Sequence, residues 1–250
     1  MMNAVFMTDK GKVRIHNEDN GGIFINQDGQ HLAIVADGMG GHRAGDVASE
    51  MTINSLKDEW EKTEKIETAE AAKEWLTTKI LHVNKLVFEH SKQNTDCEGM
   101  GTTVVAAICT DLFATVANIG DSRGYILNEV GFQQLTEDHS LVNELVRSGQ
   151  ISKEDAEHHP RKNVLTRALG TEETVAMDTK TIMFEEGDFL LLCSDGLSNK
   201  VTEDELKSAL THNESLEDKA TGLITLANEN GGEDNITLVI VYYSNVSEGR

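Results

Sequence analysis

Apolar segments that run directly into an aspartate are the feature that most constrains this chain. Residues 32–42 read LAIVADGMGGH and residues 189–197 read FLLLCSDGL, so Asp37 and Asp195 each follow an apolar run and precede a glycine. Residues 231–243, GGEDNITLVIVYY, reverse the order and place Asp234 ahead of the apolar run. Short runs rich in Val, Ile and Leu predict β-strands. The sequence therefore predicts carboxylates at the ends of several strands.

The order of the predicted elements favours antiparallel sheets covered by helices. We predict strands at residues 22–26, 31–36, 102–109, 112–119, 124–128, 189–194 and 236–243. Apolar residues at helical spacing predict helices at about 44–62, 69–91, 202–210 and 216–230. Several strands follow one another without a helix between them, which predicts an α+β fold rather than a parallel sheet.

We predict one domain for residues 1–245, followed by a C-terminal tail of residues 246–250. The chain has 250 residues, a single proline and no Pro-rich or Ser/Gly-rich linker. The pattern loosens between about residues 137 and 183, where short helices at 140–147 and 152–158 precede Pro160 and several basic residues. We interpret this segment as a mobile lobe on the sheets.

The charge of the chain limits its partners. There are 22 Lys and Arg against 43 Asp and Glu, which gives a formal charge of −21. This charge would repel nucleic acids and anionic membranes, and it is compatible with a protein that gathers divalent cations. No apolar run approaches the ~18–20 residues that span a bilayer, and no signal-peptide pattern is present. We therefore expect a cytoplasmic protein with no membrane insertion.

The cysteines do not suggest a zinc site or a disulfide framework, because Cys97, Cys109 and Cys193 are odd in number and include no C-x-x-C pair. They also exclude a phosphatase with a cysteine nucleophile, since the residue six positions after each one is not arginine. The D-x-D pattern of aspartyl-phosphate enzymes is not found either.

Two interpretations of the strand-end acids are open. An Asp-Gly pair after a strand is a common hairpin signal. Alternatively, the acids converge on one rim of a layered sheet, where they would raise one another's pKa unless cations lay between them. The four candidates for such a cluster are Asp37, Asp121, Asp195 and Asp234.

An all-oxygen cluster of this kind favours Mg²⁺ or Mn²⁺ over zinc or copper. Two such ions would make a hydroxide from a bridging water and hold a phosphoryl group. Arginine binds the outer oxygens of a phosphate well, and Arg14 lies in the polar segment RIHNEDN, residues 14–20. That segment on its own is equally compatible with a solvated loop.

Seven short motifs in chain order closely resemble those of the metal-dependent protein phosphatases, the type 2C serine/threonine phosphatase family, and especially its short bacterial members. The motifs are RIHNED (14–19), VADGMGG (35–41), GTT (101–103), GDSRGY (120–125), LTRALG (165–170), CSDGL (193–197) and EDNIT (233–237). The resemblance covers almost the whole chain. It implies a four-layer α-β-β-α sandwich with metals in a cleft at one edge, and it equates the loose segment at about 137–183 with the family's flap, which helps to choose substrates.

The resemblance also implies roles for individual residues. Asp37 matches the acid that bridges two core ions, and Gly38 matches the residue that supplies a backbone carbonyl. Asp195 and Asp234 match ligands of the first ion. Arg14 matches the phosphate-binding arginine.

Three further acids match more distant positions around the ions. Glu18 and Asp19 match the acids that hold waters of the second ion. Asp121 matches a ligand of a third, looser ion that bacterial members often share with the position of Asp195.

The general acid is the one departure from the family pattern. Animal members carry a histidine two residues after the first aspartate of this set, and Met39 occupies that place here. The nearest histidine is His42, which has the chemistry to protonate a leaving oxygen at neutral pH. His42 is equally compatible with a role in opening the next helix, and a metal-bound water would then serve as the acid.

The resemblance implies a monomeric Ser/Thr phosphatase that uses Mn²⁺ or Mg²⁺, acts on proteins phosphorylated on serine or threonine, and opposes a Ser/Thr kinase of the same bacterial cell. Two rival functions remain. A two-metal nuclease is disfavoured by the charge and by the lack of a basic groove. A phosphopeptide-binding module that has lost catalysis would be expected to lack a metal carboxylate, and none is missing.

Overall fold

The computed structural model describes residues 1–41 and 44–244. The strands in this part of the chain are β1 (Met2–Asp9), β2 (Asp19–Ile25), β3 (His31–Met39), β4 (Gly101–Thr102), β5 (Val104–Cys109), β6 (Phe113–Ile119), β7 (Arg123–Asn128), β8 (Gly131–Gln134), β9 (Asp178–Met183), β10 (Phe189–Cys193) and β11 (Ile236–Tyr243). The α-helices are α1 (Ala44–Trp60), α2 (Ala69–Gln93), α3 (Leu141–Arg147), α4 (Lys153–Glu157), α5 (Asp195–Ser198), α6 (Glu203–Thr211) and α7 (Leu216–Glu229).

The strands form two antiparallel sheets. The first has the order β1-β11-β10-β7-β8, and the second has the order β2-β3-β5-β6-β9, with β4 paired to β3. Alternate side chains of the two sheets face each other in a buried apolar layer that includes Val35, Val105, Leu190 and Val239. Successive side chains of a strand point to opposite faces, so the other face of each sheet remains to be covered by helices.

Helices cover both outer faces. Trp60 of α1 and Leu76 of α2 lie in a buried cluster with Ile34 and Ile108 of the second sheet. Leu223 of α7 lies in another cluster on the first sheet, in which Leu206 and Leu210 of α6 also take part. The predicted four-layer α-β-β-α sandwich is confirmed.

The predicted elements are found, with differences at their ends. The long predicted helices correspond to α1, α2, α6 and α7, and the predicted strand at 102–109 is divided into β4 and β5. Strands β1, β8 and β9 were not predicted. Strand β9 pairs with β6 in the second sheet, although its residues fall inside the segment that we assigned to the lobe.

No helix among residues 1–41 and 44–244 is both long enough and apolar enough to cross a membrane.

The three cysteines, Cys97, Cys109 and Cys193, are buried as free thiols. Burial raises the pKa of Cys109 and of Cys193 to about 12. Such thiols remain protonated and are poor nucleophiles.

Candidate active site

A cleft of about 650 Å³ collects most of the residues selected from the sequence. Seven of them line it: Arg14, Glu18, Asp37, Gly38, Asp121, Asp195 and Asp234. Asp19 is only 8% exposed and is the register partner of Asp37 on the neighbouring strand. Residues of the predicted lobe also line the cleft: Asn163, Leu165, Thr166, Arg167, Ala168, Thr171, Glu172, Thr174, Val175 and Ala176. His42 and the predicted tail, 246–250, lie outside the described residues.

Asp37 and Gly38 continue β3 into the cleft. The Asp37 N–H donates to Thr103 Oγ1 (3.0 Å), and the Asp37 carbonyl accepts from the Thr103 N–H (2.8 Å). Gly38 is the register partner of Thr102. The hairpin interpretation is therefore wrong for this Asp-Gly pair. Burial raises the pKa of Asp37 well above its usual value, and the charges of Asp19, Asp195 and Asp121 raise it further.

Asp19 is held across the interface between the two sheets. The Ser194 hydroxyl donates to Asp19 Oδ2 (2.7 Å) and accepts from the Thr237 N–H (3.0 Å). Burial raises the pKa of Asp19 to about 7, while hydrogen bonds from Ser194 and Thr237 act in the opposite direction. Asp19 Oδ1 is buried and has no hydrogen-bond partner within the described chain. Leaving a buried oxygen without a hydrogen bond costs free energy. This oxygen is therefore a candidate to interact with a bound cation or with a water of that cation.

Glu18 and the Gly38 carbonyl lie beside the same backbone position. A Cβ added to Gly45, in the first turn of α1, would lie 2.6 Å from Glu18 Oε1 and 2.8 Å from the Gly38 oxygen. Only glycine leaves room there for both oxygens. Glu18 Oε1 is buried without a partner among residues 1–41 and 44–244, and burial followed by the charge of Asp46 raises the pKa of Glu18.

Asp195 opens the short helix α5 and does not form a hairpin turn. A Cβ on Gly196 would lie 1.9 Å from the carbonyl oxygen of Asn235, so this glycine allows α5 to pack against the segment that carries Asp234. Burial raises the pKa of Asp195, and the charge of Asp234 adds to this effect. Asp195 Oδ2 accepts from Asn199 (3.0 Å), whereas the buried Oδ1 has no partner in the described part of the chain.

Asp121 lies in the turn between β6 and β7. Gly120 precedes it with φ +106°, a conformation that favours glycine. Burial raises the pKa of Asp121 to about 7, and the charge of Asp195 is the next largest cause. The turn therefore delivers this carboxylate to the neighbourhood of Asp195.

Arg14 lies at the cleft with two of the acids. Its Nη2 donates to Asp234 Oδ2 at 2.7 Å, and its Nη1 lies 3.9 Å from Glu18 Oε2. The Arg14 side chain is 46% exposed, so its planar group of donors is accessible to a ligand in the cleft. Such a guanidinium suits bidentate binding of a phosphate.

The donor set fits hard divalent cations. It consists of carboxylate and carbonyl oxygens, and three of these carboxylates bear buried oxygens without partners in the described chain: Glu18 Oε1, Asp19 Oδ1 and Asp195 Oδ1. Among the described residues, no three Asp, Glu, His or Cys side chains converge as a complete ligand set. Mg²⁺ usually keeps several of its waters when it binds to a protein, so waters would complete the coordination around each ion.

Asn235 has a structural role that the sequence analysis missed. Its side-chain oxygen accepts from the Glu18 N–H (2.8 Å), and its amide donates to the carbonyls of Lys10 (2.9 Å) and His16 (3.0 Å). This side chain therefore fixes the loop that carries Arg14 and Glu18. Asn235 belongs to the quoted motif EDNIT, but its partner at Glu18 is 217 residues away in the sequence.

Comparisons with known proteins identify the family to which the chain is similar. A family model described as Protein phosphatase 2C matches residues 10–233. The serine/threonine phosphatase stp of Listeria welshimeri is 54% identical over 249 residues, which cover 100% of this chain and 99% of the relative.

Solved structures show the same likeness. The crystal structure of the serine/threonine phosphatase Stp1 from Staphylococcus aureus is 40% identical with a TM-score of 0.92, and the match covers 98% of this chain and 96% of the other. The catalytic domain of the serine/threonine protein phosphatase PstP, solved in complex with two manganese ions, is 32% identical with a TM-score of 0.85, and coverage is 98% and 99%.

Proposed function

The chain belongs to the protein phosphatase 2C family, and from that premise we propose that its cleft hydrolyses phosphoserine and phosphothreonine in proteins with the help of divalent cations. It is a serine/threonine phosphatase of the 2C type, and therefore an enzyme.

The observation that carries the proposal is the convergence of mutually repelling carboxylates beside an arginine. Asp37 is surrounded by the charges of Asp19, Asp121 and Asp195, all of which raise its pKa. Without cations between them, such carboxylates raise one another's pKa and are costly to keep charged. The PstP structure with two manganese ions supports a requirement for metal.

We propose that Asp37 bridges two core ions, that the Gly38 carbonyl assists it, and that Asp195 and Asp234 complete the first ion. Glu18 and Asp19 would hold waters around the second. When bound, Mn²⁺ or Mg²⁺ ions would supply a hydroxide from a bridging water for direct in-line attack on phosphorus. Asp121 with Asp195 is proposed to hold a third ion more weakly.

Arg14 is proposed to bind and orient the phosphate through two of its N–H groups. It now pairs with Asp234 at 2.7 Å, so a phosphate would compete for the same donors. His42 remains a candidate for protonating the leaving serine or threonine oxygen. The flap, about residues 137–183, is proposed to help select substrates from its wall of the cleft.

We propose a single domain over residues 1–245 that works as a monomer in the cytoplasm. Its substrates would be proteins phosphorylated on serine or threonine, among them a cognate bacterial kinase whose action it reverses. The net charge of −21 argues against nucleic-acid substrates.

Metal removal tests the proposal. The purified protein is dialysed against EDTA and assayed with a phosphothreonine peptide, a phosphotyrosine peptide and a small aryl phosphate, before and after Mn²⁺ is added. We expect no turnover without metal, recovery with Mn²⁺, and a preference for phosphothreonine over phosphotyrosine. Full activity in excess EDTA would refute the metal mechanism.

A further inference from the structure

His139 makes contacts on both sides of its ring, although it is not among the residues that line the cleft. The side chain is 5% exposed. Its Nδ1 accepts from the Gly120 N–H (3.0 Å), and its Nε2 lies 3.0 Å from Asp178 Oδ2. The backbone N–H of His139 also donates to the Gly120 carbonyl (2.9 Å). His139 therefore binds both polar backbone groups of the residue that precedes Asp121.

The turn that carries Asp121 is held at both ends by two consecutive residues. Beyond Asp121, the Arg123 guanidinium donates to both carboxylate oxygens of Asp138, at 3.0 Å from Nε to Oδ1 and at 2.7 Å from Nη2 to Oδ2. Asp138 and His139 are neighbours at the start of the flap. Asp138 holds Arg123 and His139 holds Gly120, so Asp121 lies between two fixed points.

The two ring contacts require one tautomer of a neutral His139. Because the Gly120 N–H donates to Nδ1, this nitrogen carries no proton. The single ring proton of a neutral imidazole then lies on Nε2, which donates it to Asp178. That hydrogen bond is the main cause of the lowered pKa of Asp178, so the carboxylate is charged at neutral pH. The carboxylate thus selects the tautomer that can accept from Gly120.

Arg167 connects this contact to the wall of the cleft. Its side chain lines the cleft, and its Nη1 lies 3.2 Å from Asp178 Oδ1 and 3.2 Å from His139 Nε2. Since Nε2 carries the proton, the carboxylate is the one of these two groups that can accept from Arg167. Asp178 therefore accepts from Arg167 on Oδ1 and from His139 on Oδ2.

We propose that His139 is a positioning residue for Asp121, and that Asp178 keeps the His139 ring in the tautomer that holds Gly120. This inference rests on the proposed function, because Asp121 is itself proposed to act in turnover. The alternative is that His139 only fills space in the core. The positioning role needs an acceptor at Nδ1, whereas the space-filling role needs only the volume of the ring.

Asp178→Asn tests the choice of tautomer. The new amide would turn its oxygen towards Arg167, which has only donors to offer, and its NH2 group towards His139. Nε2 would then have to accept, and the ring proton would move to Nδ1, where it opposes the Gly120 N–H.

NMR spectra that correlate the ring nitrogens with the ring protons, recorded with Mg²⁺, measure this choice. We expect the proton on Nε2 of His139 in the unmodified protein and on Nδ1 in Asp178→Asn. A proton on Nδ1 of His139 in the unmodified protein would overturn the inference.

Asp178→Asn should also lower kcat for a phosphothreonine peptide roughly tenfold, the scale of one lost hydrogen bond to a buried group, while KM changes little. Glu173→Gln is the matched control, because it removes the same charge from an exposed position of the flap outside the cleft lining. The control should keep the kcat of the unmodified protein. A normal kcat in Asp178→Asn, or an equal loss in Glu173→Gln, would contradict the positioning role.

A double variant shows whether the effect passes through Asp121. In an Asp121→Ala background, Asp178→Asn should cause no further loss of kcat, because the carboxylate that it would displace is already absent. Two independent losses that add in the double variant would show that Asp178 and His139 act elsewhere.

Two substitutions of His139 separate the acceptor from the volume of the ring. His139→Asn supplies an amide oxygen that can accept from Gly120 in place of Nδ1, and it should keep most of kcat. His139→Leu fills similar space without an acceptor, and it should lose about as much kcat as Asp178→Asn. Equal kcat in His139→Asn and His139→Leu would support the space-filling role and overturn the inference.

In each of these contrary outcomes the unmodified protein with Mn²⁺ still hydrolyses the peptide, so the proposed function stands. Failure of the proposed function is a different result, in which the unmodified protein with Mn²⁺ does not hydrolyse the phosphothreonine peptide.

Discussion

Asp19 and Asp37 are register partners on the neighbouring antiparallel strands β2 and β3, so two acids are placed directly opposite each other. Like charges in that relationship destabilise a sheet. The pKa of Asp19 is raised to about 7, and that of Asp37 is also raised, first by burial and then by the charge of Asp19. The sheet therefore bears an electrostatic cost at the point where the cations are proposed to bind.

The first prediction concerns the pH dependence of stability without metal. Carboxyls of the unfolded chain titrate near pH 4, whereas Asp19 and Asp121 titrate at about 7 in the folded protein. Between these values the folded protein keeps protons that the unfolded chain has lost. Their contribution to stability is full below about pH 4 and is lost as the pH rises through about 7. We expect Tm in EDTA to fall from pH 5 to pH 8.

Saturating Mn²⁺ should flatten this fall, because the cation replaces the lost protons. Asp37→Asn should also flatten it in EDTA. Asp28→Asn, at an exposed turn position, should keep the slope of the unmodified protein and so controls for net charge. A metal-free Tm that rises from pH 5 to pH 8 would contradict the prediction.

The second prediction concerns Arg14. A hydrogen bond to a charged group contributes roughly 1.5–3 kcal/mol, so Arg14→Ala should lower kcat/KM for a phosphopeptide roughly 10- to 150-fold. Arg14→Lys keeps the charge but loses the planar pair of donors. Its kcat/KM should therefore lie between that of the unmodified protein and that of Arg14→Ala. Mn²⁺ affinity should change little in either variant. Unchanged hydrolysis of a small aryl phosphate by Arg14→Ala would show that Arg14 does not hold phosphate.

The third prediction separates two roles of Asp121. If Asp121 holds a weakly bound third ion with Asp195, Asp121→Ala should keep two tight Mn²⁺ sites and its Tm but lose much of kcat. If Asp121 only caps the turn after Gly120, the variant should melt at a lower temperature with kcat largely kept. Metal stoichiometry, Tm and kcat measured on one sample decide the matter. Normal kcat in a destabilised variant would end the third-ion hypothesis.

The fourth prediction concerns Ser194, whose hydroxyl joins Asp19 to the Thr237 N–H. Ser194→Ala leaves two buried groups unsatisfied at roughly 1–3 kcal/mol each, so we expect a loss of about 2–6 kcal/mol in the free energy of unfolding. Ser198→Ala is the matched control, because the Ser198 hydroxyl is buried without a hydrogen-bond partner in the described chain. Urea unfolding gives the free energy of unfolding of both variants. Equal losses in Ser194→Ala and Ser198→Ala would refute the bridging role of the Ser194 hydroxyl.

Much of the fold could be predicted from the sequence because central strands are apolar on both faces. Strands β3, β5 and β10 are almost entirely buried, and their apolar runs are plain in the sequence. The three strands that were missed, β1, β8 and β9, all lie at sheet edges. Edge strands bury less apolar surface: β9, DTKTIM, has no fully buried residue.

The candidate site was predictable as a set of residues but not as a geometry. Asp37 and Asp195 stand out because a charge interrupts an apolar run, and the order of the motifs indicates the family. The residues that hold these acids in place could not be predicted in this way. The partners Ser194 and Asp19 are 175 residues apart, and local sequence carries no signal for such contacts. Asn235 belongs to a motif found in the sequence, but its hydrogen bond from the Glu18 N–H is visible only in the structure.

The central claim is that divalent cations bind between the acids of this cleft and that Asp37 bridges them. Calorimetric titration of the metal-free protein with Mn²⁺, beside Asp37→Asn, tests it most directly. The account predicts two tight sites in the unmodified protein and the loss of both in Asp37→Asn, together with near-complete loss of turnover, because Asp37 is the side chain that both ions are proposed to share. Unchanged Mn²⁺ stoichiometry and affinity in Asp37→Asn would contradict it.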